Sequence, residues 1–203
     1  AACECRFVGL APRPLSTPRR LWTRPTAALG SVKVERRRRS MAEAPLGKIS
    51  LCSDGHYRLT FERDLPYAQS RVWRAVTSEE HLGCWLSDAE IELRPQGRLR
   101  LRGQCNVDGL VLEVVPPTLF RWTWPHPEHP ASEVQIAVAA LGEAASRVSL
   151  VQTDLPKRHI LDVAAGWHTH LDALPAAVLG GRTPFEADRA AAHYSKYWTT
   201  LAT

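Results

Sequence analysis

Long apolar runs, cysteine pairs and nucleophile motifs are all missing from this 203-residue chain. No stretch approaches the roughly 18 consecutive apolar residues that a membrane-spanning helix needs, which excludes a transmembrane protein. The five cysteines include no CxxC pair, which argues against a zinc or redox motif and favours a reduced, cytoplasmic protein. The sequence also contains no GxSxG, no phosphate-binding loop and no HExxH. We therefore expect no metal and no cofactor.

Negative charge is scarce at one end of the chain. Residues 1–40 carry ten Lys and Arg against two Asp and Glu, a net charge of +8, whereas the remaining residues carry a net charge of −3. A mildly acidic body lacks the electrostatic footprint of a phosphate-binding surface. We therefore expect no nucleic-acid partner.

The basic segment also lacks a regular pattern. It holds four prolines and a run of four arginines, with no sustained period of 2 or 3.6, so residues 1–40 are predicted to be disordered. Met41, the only methionine, follows this run directly. We interpret Met41 as the initiator of the native protein; the alternative is a transit peptide, because the segment is rich in arginine and poor in acids. Residues 41–55 are expected to be a flexible lead-in.

Alternating apolar and polar residues predict an antiparallel sheet through the middle of the chain. In residues 57–65, Tyr, Leu and Phe alternate with Arg, Thr and Glu, the pattern of a half-buried strand. The same alternation returns in short segments up to Gln152, separated by Gly97, Gly103 and the pair Pro116 and Pro117. This spacing predicts about six to seven strands with one face in water.

Helical spacing brackets that sheet. Residues 68–76 and 79–86 predict two short helices after the first strand, the second with a capping sequence at its start. From Leu161 onward, apolar residues lie three and four apart up to the Gly180 and Gly181 pair, which predicts one long helix. Residues 182–203 are expected to form a helical tail. A domain over residues 56–181, with its sheet curved around the long helix, is an α+β fold of the helix-grip type.

A curved sheet covered by one long helix leaves space between the two layers, so we expect a cavity for an apolar or aromatic small molecule. The residues expected to line it are Leu99, Leu101, Leu112, Val114 and Arg121 on the sheet and Trp167, His170, Leu171 and Leu174 on the helix. Arg121 faces the ligand if Trp122 and Trp124 face solvent. His168 and His170 are two residues apart, which places them on different faces of the helix and makes them poor joint metal ligands.

Three segments resemble one family. The run from Val72 to Leu82, closing in Trp85 and Leu86, resembles the opening motif of proteins similar to the activator of the ninety-kilodalton heat-shock chaperone ATPase. Residues 109–117 followed by 119–124 resemble the central hairpin of that family, and Gly166 and Trp167 with Leu171 and Leu174 resemble its closing helix. The resemblance covers most of residues 56–180 and implies a START-like (SRPBCC) domain, a superfamily whose members mostly bind apolar ligands.

We consider three functions for such a domain. The first is a small-molecule-binding protein, which we expect rather than an enzyme, as a monomer or homodimer. The second is a cyclase-like or hydrolase-like enzyme, which requires at least two of His170, Glu113 and Arg121 to converge in the cavity. The third is a module that contacts a chaperone or a regulator, in keeping with a role in the stress response, and it requires a large exposed apolar patch.

Overall fold

A computed structural model describes residues 44–126 and 129–201 of the chain. The predicted disorder of residues 1–40 and the start at Met41 fall outside the described residues. The strands are β1 (Lys48–Leu51), β2 (Tyr57–Leu65), β3 (Asp88–Ile91), β4 (Arg98–Arg102), β5 (Val107–Val115), β6 (Leu119–His126), β7 (His129–Gly142) and β8 (Ala145–Leu155). The helices are α1 (Gln69–Thr77), α2 (Glu79–Trp85), α3 (Ile160–Ala177) and α4 (Ala187–Leu201).

The eight strands form one antiparallel sheet in the order β1-β2-β8-β7-β6-β5-β4-β3. The α+β helix-grip prediction is confirmed, but the sheet has eight strands rather than six to seven. The missed strand is β1, which lies within residues 41–55 and pairs with β2 from Lys48 to Leu51. It is a four-residue edge strand without a clear alternation of buried and exposed residues, so its conformation depends on the neighbour to which it pairs.

One face of the sheet carries rows of buried side chains that run across the strands. In the central row, Leu59 is paired with Gln152, Gln152 with Val134, Val134 with Trp122, and Trp122 with Val111. All five are at most 2% exposed. Because directly opposite residues of antiparallel strands point to the same face, this register places the Trp122 side chain toward the core.

A bulge in β5 changes which of its residues face inward. Val111 is paired with Trp122 and Glu113 with Arg121, so Leu112 has no direct partner on β6. Such an extra residue shifts the alternation by one position and bends the strand. As a result Val111 is completely buried, and Leu112 is half-buried at the bulge.

Helix α3 is enclosed on more than one side. Trp167 points to the sheet, where its indole N–H donates to Gln152 Oε1 over 2.6 Å. His168, one residue later, faces α4 and is only 1% exposed. Since α4 covers a side of α3 that would otherwise be in water, the helix carries buried side chains beyond the apolar stripe that its sequence predicts. None of the helices in the described part of the chain is long and apolar enough to span a membrane.

Two glycines offer a matched test of the close approach between β5 and β6. A Cβ added at Gly109 would collide with the carbonyl oxygen of Thr123, whereas a Cβ added at Gly166 in α3 meets no atom within 4 Å. We expect G109A to lose about 1 to 3 kcal/mol of unfolding free energy and G166A to gain about 0.5 to 1 kcal/mol. Urea denaturation of both variants measures this, and a loss of similar size in both would contradict the packing argument.

Candidate functional site

Six of the nine residues expected to line a cavity lie in one buried core between the sheet and α3. They are 0 to 6% exposed and comprise Leu99, Leu101, Trp167, His170, Leu171 and Leu174. Val114 is partly buried and packs against the same core. Leu112 lies at the bulge, and Arg121 lies on the other face of the sheet.

Side chains fill the space between these two layers in the described part of the chain. An exposed fraction of a few per cent means that a water-sized sphere reaches almost none of the side chain. Clefts of about 170 and 370 Å³ lie on the outside of the fold, lined largely by charged and polar residues. The sequence predicted an internal cavity; the structure has a closed core at that place.

One buried polar group in this core has no partner. The Trp122 side chain is 1% exposed, and its indole Nε1 makes no hydrogen bond. Its ring stacks on Phe120 with centroids 4.7 Å apart. A buried donor without an acceptor lowers the stability of the folded protein by about 1 to 3 kcal/mol. The centre of the sheet therefore contains a donor that could bind an additional acceptor.

A second tryptophan next to this site is fully satisfied. Trp167 donates to Gln152 Oε1, Gln152 Nε2 donates to Ser132 Oγ over 2.8 Å, and Ser132 donates to the carbonyl of Trp124. The chain of hydrogen bonds fixes the amide of Gln152 and leaves none of its members unpaired. Sequence reasoning assigned Gln152 to an apolar alternation without a role, although a polar residue at the end of such a stripe was a signal for a buried network.

His170 is held at the edge of the core as a neutral imidazole. Its Nδ1 donates to the carbonyl of Trp85 over 2.9 Å, and its Nε2 lies 3.8 Å from Cys105 Sγ. Phe185 covers the ring, with centroids 5.0 Å apart. Removal from water lowers the pKa of His170 to about 4, although the hydrogen bond to Trp85 acts in the opposite direction. The group therefore offers a fixed nitrogen without charge at neutral pH.

Arg121 and Glu113 form a cluster on the outer face of the sheet. Arg121 lies 3.4 Å from Glu113 and 3.5 Å from Glu133, and all three side chains are 38 to 44% exposed. Because Trp122 faces the core, its neighbour Arg121 must face the other way. His170 is thus separated from Glu113 and Arg121 by the sheet, and these three residues do not converge on one site.

A group of titratable side chains that the sequence did not single out lies between α3 and α4. Asp172 forms an ion pair with Arg189 over 2.9 Å and accepts a hydrogen bond from His193 over 3.1 Å, and its other oxygen lies 3.9 Å from His168 Nε2. Tyr197 Oη receives the backbone N–H of Gly47 and lies 3.1 Å from His168 Nδ1. The spacing of four residues between His168 and Asp172 was the available signal.

His168, Asp172 and His193 are close enough to be considered as metal ligands. The imidazole rings of His168 and His193 are stacked, with centroids 3.9 Å apart and planes inclined by 9°. A metal ion must lie in the plane of each imidazole that binds it, and stacked parallel rings have no common in-plane position. The arginine on Asp172 also supplies the positive charge that this carboxylate needs. The arrangement therefore serves as a hydrogen-bonded clamp between the two helices.

The two buried imidazoles make stability depend on pH. His168 and His170 each have a pKa of about 4 in the folded protein, below the value of about 6.5 in an unfolded chain. The unfolded state therefore binds more protons, so the contribution of these groups to stability is complete above about pH 6.5 and is lost as the pH falls toward 4.

The variant H170N tests this pH dependence, because the amide of asparagine keeps a donor for the carbonyl of Trp85 but does not titrate. We expect its loss of stability between pH 7 and 4.5 to be about 2 to 3 kcal/mol smaller, and an unchanged loss in urea denaturation would contradict this.

The clamp around Asp172 predicts a large effect of a nearly isosteric change. D172N keeps the size of the side chain but removes the charge that faces Arg189, His193 and His168. We expect a loss of about 2 to 4 kcal/mol, because buried donors lose their ionic acceptor. D188A, at an exposed position in the first turn of α4, is the control and should change stability by less than about 0.5 kcal/mol. Equal effects of the two variants on the urea midpoint would show that the clamp is not energetically important.

Comparison with solved structures gives the same fold in proteins of low identity. CalU16 from Micromonospora echinospora is 19% identical with a TM-score of 0.64, and the match covers 77% of this chain and 99% of that one. A conserved protein of unknown function from Enterococcus faecalis is 18% identical with a TM-score of 0.63, covering 76% and 91%. The protein encoded by gene BPP1335 from Bordetella parapertussis is 26% identical with a TM-score of 0.58, covering 78% and 92%.

Comparison with curated proteins finds no match. The family described as Activator of Hsp90 ATPase homolog 1-like protein matches residues 66–178, which is more than half of the chain. The matched range begins just before α1 and ends just after α3, so it includes both short helices, most of the sheet and the helix that covers it. With its helix-grip architecture, the chain is a START-like domain that belongs to the Activator of Hsp90 ATPase homolog 1-like family.

Proposed function

We propose that this domain binds a small molecule with an aromatic or apolar body and one hydrogen-bond acceptor between the sheet and α3. The observation that supports it is the unpaired indole N–H of Trp122 in the middle of the inner face. A ligand acceptor at this nitrogen would remove the cost of about 1 to 3 kcal/mol that the closed core carries. This one polar contact would then discriminate between ligands, while the rest of the ligand would lie in apolar surroundings.

The groups around Trp122 favour a flat ligand body. Phe120 stacks on it, and Trp124 and Trp167 meet edge to face with centroids 5.4 Å apart. Aromatic faces and edges of this kind contribute about 0.5 to 1.5 kcal/mol per pair beyond the area they bury. A neutral His170 at the edge adds a polar atom without charge, which suits an uncharged ligand.

Because the core is closed, binding requires part of its cover to move. Two segments lie over the edge near His170: the turn between β4 and β5 that carries Cys105, and the segment between α3 and α4 that carries Phe185. The backbone N–H of Cys105 donates to Ser87, and that of Thr183 to the carbonyl of Cys84. Both segments are loops, which open at lower cost than the strands of the sheet. We propose that the ligand enters here.

Family membership supports a second candidate, contact with a chaperone or a regulator, as the family description implies an activator. Large apolar side chains with exposed fractions of 38 to 64% are present on the surface: Leu46, Leu51, Leu93, Leu110, Val115, Leu141, Leu179 and Trp198. They come from many different elements. The interior site therefore has the more specific support.

Fluorescence titration of the full chain with prodan, a naphthalene dye that carries a ketone, tests the interior site. Naphthalene, which has no acceptor, is the matched ligand. W122F removes the N–H and keeps an aromatic ring, so we expect prodan to bind about tenfold more weakly to this variant and naphthalene to bind equally to both proteins.

Two results would contradict the proposal. If neither compound binds the unaltered chain, the core is not a ligand site for molecules of this size. If W122F weakens both compounds to the same extent, the effect comes from packing and not from the indole N–H. Native mass spectrometry of the chain purified from its source organism, compared with the denatured sample, identifies any ligand that the protein already carries.

A further inference from the structure

A basic cleft lies on the outside of the fold, where α1 and α2 meet the end of α3. It has a volume of about 370 Å³. Its lining residues are Ser70, Arg71, Arg74, His81, Val178, Leu179 and Gly180. Arg71, Arg74 and His81 have side-chain nitrogens that can donate hydrogen bonds, and none of the seven residues has a carboxylate.

The two arginines of this cleft are not neutralised. Arg71 and Arg74 are exposed, and neither forms an ion pair with any residue that the structure describes. Most other exposed arginines do have an acidic partner: Arg94, Arg98, Arg100, Arg102, Arg147, Arg182 and Arg189. Residues after position 40 carry a net negative charge, so an unpaired basic cleft is an exception on this surface.

Glu79 is the acidic residue near the cleft whose carboxylate has a defined partner elsewhere. Glu79, at the start of α2, accepts the backbone N–H of Ile91 over 2.8 Å. His81 lies on the same helix, and its Nδ1 is hydrogen-bonded to Ser78 Oγ over 2.8 Å. That contact holds the ring in place on the wall of the cleft. The guanidinium groups therefore lack a local counter-ion, while their neighbour His81 is fixed.

Apolar surface adjoins this charge. Leu179, directly after the last turn of α3, is 60% exposed, whereas Val178 beside it is 5% exposed and anchors the turn in the core. Gly180 follows with φ of 79°, a left-handed conformation that ends the helix and turns the chain away. Leu179 therefore lines the same cleft as the two unpaired guanidiniums.

We infer that this cleft binds an acidic segment of a protein partner. Carboxylates of the segment pair with Arg71 and Arg74, which lie one helical turn apart and can each grip a carboxylate through two N–H groups. An apolar side chain next to those carboxylates packs on Leu179. The adjacent apolar rim favours a peptide over a free anion. The inference is independent of a ligand in the core, because the cleft and Trp122 share no residue.

Fluorescence anisotropy of the full chain tests this with a fluorescein-labelled peptide of alternating glutamate and leucine. We expect binding that weakens as sodium chloride is raised and a Kd at least about tenfold higher for the double variant R71A/R74A. R58A is the matched control, because Arg58 is also exposed and lacks an ion pair in the described residues, but lies on β2. It should leave the Kd unchanged. L179S should weaken this peptide and leave a glutamate-glycine peptide unaffected.

Several results would overturn the inference. They are absence of binding, an equally large loss in R58A, and equal binding of an alternating lysine and leucine peptide. Displacement of the peptide by inorganic phosphate, at an ionic strength where chloride has no effect, would assign the cleft to small anions instead. The substitutions of Arg58, Arg71, Arg74 and Leu179 are at exposed positions, so unchanged thermal unfolding of each variant verifies its fold. W122F should bind the peptide normally, which separates this result from the core ligand.

Discussion

The enclosure of α3 is the constraint on which the rest of this structure depends. The sheet covers one side of the helix and α4 covers another, so polar side chains on both sides are removed from water. Each buried donor or acceptor then needs a partner within the protein. Trp167 meets Gln152 on the sheet, His170 meets the carbonyl of Trp85, and Asp172 meets donors of α4. These three buried contacts follow from the placement of this one helix.

Trp122 is a place on the inner face of the sheet where that requirement is not met. It lies at the centre of the inner face, opposite the helix, and its N–H has no acceptor. The neighbouring network around Gln152 is complete, so the unpaired N–H of Trp122 stands next to a fully hydrogen-bonded tryptophan. An unpaired donor in the core is expected in the unliganded state of a protein whose ligand accepts a hydrogen bond at this position, because only the ligand supplies the acceptor.

The surface repeats the same contrast with charges. Most arginines of the sheet are paired with acids across the strands, as Arg121 is with Glu113 and Glu133. The pair Arg71 and Arg74 in α1 has no such neighbour. An exposed leucine next to them, Leu179, combines charge with apolar contact in one place. The two sites that we propose, one in the core and one on the surface, share no residue and differ in the chemistry of the partner that each would bind.

The sequence by itself determined the elements and the family. Alternation marked β2 and the later strands, the three-and-four spacing marked α3, and residues 72–86 carried the resemblance, because these signals are local and arise from burial of one face. Strand β1 was missed since a short edge strand depends on its neighbour. The inward turn of Trp122 was undetermined, because one residue at the Leu112 bulge reverses the alternation. Only the tertiary structure decided the orientation of Trp122, the closure of the core and the clamp at Asp172. Each of the three depends on which surfaces distant segments of the chain cover.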